Sequence, residues 1–149
     1  MFPNAKPSEL VAVLDTIDPV SQAAGTVTTG WIKADKFLAF MALVNTGTLG
    51  ASATVDAKLQ QAQDSSGTGA KDVTGKSITQ IVKASGDNKQ AIINLRGSEL
   101  DTNGGFSYFR LSLTVGTAAS LIAANVLGMN GRFLPASDAN NADVAQVVA

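Results

Sequence analysis

The run Gly105-Phe106-Ser107-Tyr108-Phe109-Arg110-Leu111-Ser112-Leu113-Thr114-Val115-Gly116 decides how this chain is read. From Phe109 to Val115 every odd position is apolar, while Tyr108, Arg110, Ser112 and Thr114 between them are polar or amphipathic. A period of two sends one set of side chains to a core and the other to water or a partner. Aromatic and β-branched residues suit a pleated surface, and Gly104-Gly105 and Gly116 punctuate the two ends. The stretch is therefore the central strand of an all-β domain, and the rest of the chain is expected to cover Phe109, Leu111 and Leu113.

Working outward, Ala51 to Gln61 alternates in the same way, with Ala53, Val55, Ala57 and Leu59 opposing Thr54, Asp56, Lys58 and Gln60. Phe37 to Val44 is different: eight consecutive apolar residues suggest a strand buried on both faces, or a helix hidden in a core. Length and the following Asn45-Thr46-Gly47 favour the strand. A sandwich strand with one face on the core and the other on a neighbouring subunit reads this way. Thr26 to Ile32 and Lys89 to Arg96 are further strands, as is Ser77 to Lys83. Gly97 to Asp101 suits one helical turn. Ala119 to Met129 is read as the last strand, with helix as the competing reading because of its alanines. Leu10 to Leu14 is a short apolar run closed by Asp15 and a turn at Asp18-Pro19, and Ser21 to Gly25 and Gln63 to Gly75 are loops.

These elements predict one β-sandwich, jelly-roll-like, spanning residues 9–135. Residues 1–8 form an extended N-terminal arm that Pro3 and Pro7 keep from becoming helical. Residues 136–149 form an exposed tail.

Composition narrows the chemistry. Among 149 residues there is no Cys and no His, so disulfides, the usual zinc and copper sites, and Ser-His-Asp or Cys-His catalysis are all excluded. Net charge is −1, and the 11 basic residues are scattered, which leaves no basic footprint for nucleic acid. No membrane partner is expected either, since the apolar-leaning window from Ala118 to Met129 is short and interrupted. The start lacks the pattern of a secretory signal, so synthesis in a cytoplasm is expected.

Two motifs stand out against this background. Ala70-Lys71-Asp72-Val73-Thr74-Gly75-Lys76-Ser77 fits a permissive phosphate-loop pattern, but polar loop precedes it and strand follows it, so a hairpin connection is the better reading. Asp101-Thr102-Asn103-Gly104-Gly105 has the first spacings of a calcium loop, yet its twelfth position would be Ser112 rather than Glu. A turn is expected there. Trp31, the one tryptophan, is read as a core or core-edge anchor rather than a ligand platform.

The order Gly30-Trp31-Ile32, then Phe37 to Asn45, Gly50 to Gln61, Asp72 to Thr79 and Gly105 to Val115 resembles small structural head proteins of tailed bacteriophages. The resemblance covers about residues 25–128. It implies a sandwich or jelly-roll protein of the virion, a decoration (cement) protein on the capsid exterior, bound to the major capsid protein and present as a homo-oligomer, a trimer. It implies no catalytic residue and no cofactor. A neck, head-completion or tail-associated role is the alternative, and a carbohydrate-binding sandwich module the second. Candidate interface residues are Phe2, Pro3 and Pro7 in the arm, Phe37, Phe40 and Met41 in the apolar run, and Tyr108 and Arg110 on the outward face of the central strand.

Overall fold

The central strand is β9 (Tyr108–Gly116) in the computed structural model, which describes residues 4–136, 140 and 142–148. It pairs antiparallel with β5 (Thr54–Ala62) from Thr54↔Gly116 to Ala62↔Tyr108. On its other side lie β2 (Gly25–Thr28) and the two-residue β3 (Ile32–Lys33). Phe109, Leu111, Leu113 and Val115 point inward and are at most 1% exposed, as the alternation predicted. Beyond β5 this sheet continues to β6 (Lys71–Ser77) and the short β7 (Ile81–Val82).

The second sheet has four strands, β1 (Val11–Gln22), β10 (Ser120–Gly131), β4 (Phe37–Thr46) and β8 (Gln90–Arg96), in that spatial order. All pairings are antiparallel. With β3 and β7 set aside, the sheets read β1-β10-β4-β8 and β2-β9-β5-β6, and the chain changes sheet at each step except the β5–β6 hairpin. This is the double Greek key of a jelly roll. The residues from Ala119 to Met129 are strand, not helix. Asn125, Leu127 and Met129 alternate with Ala124, Val126 and Gly128, and only the second set is buried.

Between the sheets, Phe40, Ala42, Val44, Ile122 and Val126 from one face meet Val55, Leu59, Phe109 and Leu111 from the other. Burying a side chain of this size contributes about 1.5–3 kcal/mol, so the core needs no disulfide. Polar groups within it are paired. Thr29 Oγ1 accepts the Leu111 amide at 3.0 Å, and Ser120 Oγ accepts the Gly50 amide at 3.1 Å.

Several expectations need correction. The run from Leu10 does not end at Asp15. β1 continues to Gln22 and takes up Asp18-Pro19 at register shifts against β10. An edge strand tolerates proline at such an irregularity because the missing amide would have faced outward. Asp15 acts as a tie rather than a terminator, accepting the Gly30 amide at 2.7 Å. The strand from Thr26 to Ile32 breaks after Thr28, because the Thr29 hydroxyl takes over a ladder position opposite Leu111.

The loop from Gln63 to Gly75 is shorter than expected, since β6 already begins at Lys71. The strand from Ser77 to Lys83 is reduced to Ile81–Val82 and runs into a helical turn, α2 (Lys83–Gly86). The arm is not wholly extended, for Pro7–Leu10 forms a single turn, α1. Proline at the first helical position lacks an amide that would have been unpaired anyway, and the Glu9 carboxylate accepts the Lys6 amide at 2.7 Å. Nor is the tail wholly free, since the Ala136 and Asn140 amides donate to the Glu9 and Val13 carbonyls.

Candidate interaction surface

The two sheets present opposite chemistry to the outside. On the sheet built around β9, the outward side chains are mostly polar, and several are paired with one another. Lys58 Nζ lies 2.8 Å from Asp72 Oδ2, Thr26 and Thr114 share a 2.7 Å hydrogen bond, and Arg110 donates twice to Gln60 Oε1 at 3.0 and 2.9 Å. The Arg110 guanidinium also sits 4.4 Å from the Trp31 ring centroid. From another side Gly67 approaches the indole so closely that an added Cβ would lie 2.7 Å from Nε1. Trp31 is thus a half-buried anchor clasped by its own chain.

The outer face of the four-stranded sheet is the reverse. Its two central strands, β4 with 10 residues and β10 with 12, contain no charged residue at all. Along β4 the even-numbered side chains from Phe40 to Val44 go to the core, which turns Met41 and Leu43 outward. Register then sets apolar side chains of neighbouring strands beside one another. Val13, Leu127 and Met41 lie side by side in one row that ends at Asn94, and Leu43 and Ile92 are adjacent in another that continues to Asn125 and Thr16. Ile92 is 56% exposed, Leu38 52% and Leu121 47%. A shallow groove near the Gly47 end is lined by Val20, Leu121 and Ala123. Four strands at their usual spacing and about ten residues of length make this face roughly 20 Å by 30 Å, the scale of one side of a specific protein interface. Uncharged on its two central strands and interrupted by Asn45, Asn125 and Asn94, this face is the chain's candidate interaction surface.

The expected interface residues divide accordingly. Met41 lies on this face, half-buried. Phe37 and Phe40 do not: each is 2% exposed and packed in the core, so the expectation that they contact a partner is corrected. Phe40 is on the inward parity of β4. Phe37 is drawn inward where Asn130 of the neighbouring β10 takes a left-handed turn, φ 54°, and Gly128 leaves room for its ring. Tyr108 and Arg110 do share an outward face, but on the opposite, polar sheet, with Arg110 committed to Gln60 and Trp31. Pro7 is exposed in α1. Phe2 and Pro3 lie outside the described residues.

Ile92, Leu121, Leu127 and Val20 were not singled out from the sequence. Their signal was apolar residues on both parities of a strand, as in Ala91-Ile92-Ile93, which the reading recognised only in Phe37 to Val44.

The weighed motifs also find their places. Lys71–Ser77 is not the hairpin connection expected but a strand paired with β5, and Lys76 Nζ lies 2.9 Å from Glu99 Oε1 rather than over a phosphate nest. Asp101 caps the 3-10 turn Thr102–Gly104, accepting the Gly104 amide, and pairs with Lys71 at 2.6 Å. Among the described residues no group of three or more Asp or Glu could hold a metal ion. No described helix is long and apolar enough to cross a membrane.

No family model and no curated protein matches the chain. Solved structures resemble it in fold. The CBM22-1–GH10 modules of Clostridium thermocellum xylanase 10B, solved with xylohexaose, align over 87% of this chain and 30% of that one, at 12% identity and a TM-score of 0.48. A chain of broad bean stain virus aligns over 92% of this chain and 98% of its own, at 10% identity and 0.43. The CBM22-2 xylan-binding domain of Paenibacillus barcinonensis Xyn10C aligns over 80% and 98%, at 7% identity and 0.42. These likenesses are of overall fold, at identities too low to carry a binding function across.

Proposed function

We propose that the chain is a non-enzymatic structural protein of a virion, a decoration protein that seats on the exterior of a tailed-phage head and stabilises it. The observation that carries this reading is the uncharged outer face of β4 and β10, flanked by the exposed Leu38, Ile92 and Leu121. A protein that works by adhesion needs a rigid scaffold, one broad apolar seat and a solvated back. The jelly roll has these parts. The partners are the major capsid protein and further copies of the chain, assembled as a trimer. No cofactor, nucleic acid or membrane enters the account. A neck or head-completion role would use the same face.

A carbohydrate-binding role is less well supported, because sugar rings stack on platforms of open aromatic faces, Trp31 is covered by Arg110, and the exposed Phe133 stands outside the strands. The test is retention on purified heads. Met41→Lys and Leu43→Lys place a charge on the seat without touching the core, and each should weaken retention at least tenfold. Lys58→Ala, on the polar sheet, should be retained like the parent protein. Equal retention of the two face variants and the parent would overturn the assignment.

A further inference from the structure

The four-stranded sheet has two edges, and the chain treats them differently. At the β1 edge the C-terminal segment lies alongside, with the Ala136 amide donating to the Glu9 carbonyl at 2.8 Å and the Asn140 amide to Val13 at 2.7 Å. At the β8 edge no strand pairs on the outer side among the described residues. The direction of its backbone groups follows from one bond. The Thr46 amide donates to the Lys89 carbonyl at 2.8 Å and the Lys89 amide to Thr46 Oγ1 at 3.0 Å, so the backbone groups of Lys89 face β4. Antiparallel ladders alternate, hence Ala91, Ile93 and Leu95 also bond to β4, while the amides and carbonyls of Gln90, Ile92 and Asn94 face outward. Arg96 confirms the alternation, since its outward amide is capped by Glu99 Oε2 at 2.7 Å. Among the described residues Ile92 and Asn94 have no such cap.

The chain also holds a segment of strand-forming composition that pairs with no strand among the described residues. Past Asn140, Val144-Ala145-Gln146-Val147-Val148 carries three valines, of which Val147 is 61% and Val148 84% exposed. An open edge and an unpaired apolar strand are complementary, because an added strand satisfies the backbone of both.

We propose that Val144–Val148 of one copy adds as a fifth strand to the β8 edge of a second copy. Geometry excludes the same chain as donor. Asn140 is held beside β1, and the docking position lies beyond β8, five strand spacings or about 24 Å away. The four residue steps from Asn140 to Val144 span at most about 14 Å. The donated strand must therefore come from a neighbour. A contact of tail on edge is heterologous, and it closes into a ring when the rotation between copies allows. Ile92 stands at the rim of the apolar face, so the added strand would widen that face. The inference rests on the reading of the chain as a self-assembling protein, but not on where the assembly sits.

The experiment compares the full chain with a variant lacking residues 142–149, which retains Asn140 and every strand. Sedimentation velocity at about 100 µM should give an oligomer for the parent and a monomer for the variant. Amide exchange read by NMR should slow at Ile92 and Asn94 in the parent, by at least tenfold relative to the variant. Ile92→Pro, which removes an outward amide and breaks no bond to β4, should dissociate the oligomer while circular dichroism keeps its β signature, and Ile92→Ala, which keeps the amide, should dissociate it less. Should that variant unfold, the truncation alone decides. The chain has no cysteine, so mixing Ile92→Cys and Val147→Cys proteins of different mass offers an independent readout, a mixed disulfide between the two. Equal exchange and equal sedimentation of parent and truncation would overturn the inference. A disulfide from Val147→Cys to Met41→Cys instead would also overturn it, placing the tail across the face. Strand addition without the protein on virions would sink the decoration reading alone, and the protein on virions without strand addition would sink only this inference.

Discussion

Phe40 of β4 and Phe109 of β9 meet across the sandwich with ring centroids 4.7 Å apart and planes tilted by 58°. This contact joins the strand that presents the uncharged outer face to the strand at the centre of the opposite sheet. Because Phe40 is anchored inward, Met41 and Leu43 must point outward, so the core sets the chemistry of the surface.

Removing that anchor should be costly. Phe109→Ala empties fully buried space beside Phe40 and is expected to destabilise the fold by about 3–5 kcal/mol in chemical denaturation. Tyr108→Ala, half-buried at the outer side of the same strand, should cost much less. Similar losses for the two would show that the strand facing is wrong.

Gly67 holds φ +86° against the indole of Trp31, where a Cβ would come within 2.7 Å of Nε1. Gly67→Ala should therefore cost about 1 kcal/mol or more, from backbone conformation and the displaced ring together. Trp31 is the one tryptophan, so its emission reports the site without interference. A red shift is expected as the ring leaves Arg110. An unchanged spectrum and melting temperature would contradict the packing described.

Acid should destabilise the protein. Asp72 is held below the ordinary carboxylate range by hydrogen bonds from Lys58 and then Gln60, and Asp101 by Lys71 and then the Gly104 amide. Glu99 is lowered first by the Arg96 amide and next by Lys76, and Asp87 by Lys83 and then the Leu49 amide. Carboxylates depressed in the folded state stabilise it above their unfolded values, and that contribution is lost as pH falls through the folded ones. Melting temperature should stay level from neutral pH to about 5 and decline below about 4, the unfolded carboxylate range. Asp72→Asn should make the decline shallower. A profile that is flat to pH 2 would remove these pairs from the account.

Lys76 is engaged with Glu99 at 2.9 Å and sits in a strand. Calorimetry with ATP or GTP should show no binding, and Lys76→Ala should cost no more than about 1 kcal/mol. Nucleotide binding abolished by that substitution would reinstate the phosphate-loop reading.

What could be read in advance depended on whether a residue's partner was local. Alternation in β9 and β5 was legible because each side chain's facing follows from its own strand. The apolar run of β4 was legible as a strand, and one side of it is buried while the other remains half-exposed rather than buried on both faces. Phe37 and Phe40 were misplaced on that surface because facing in β4 is set by Phe109 and by the turn at Asn130, both distant in sequence. β1 was cut short because Asp18-Pro19 is a turn signal in isolation, and only an edge position lets a strand absorb it. Ile92 and Leu121 became a surface only once register set them beside Leu43 and Gly47.

The most direct measurement of the central claim is the protein composition of gradient-purified particles. Quantitative mass spectrometry should find this chain at a fixed ratio to the major capsid protein, unchanged by a further round of purification. Its absence from purified virions, while the capsid protein is fully recovered, would contradict the account.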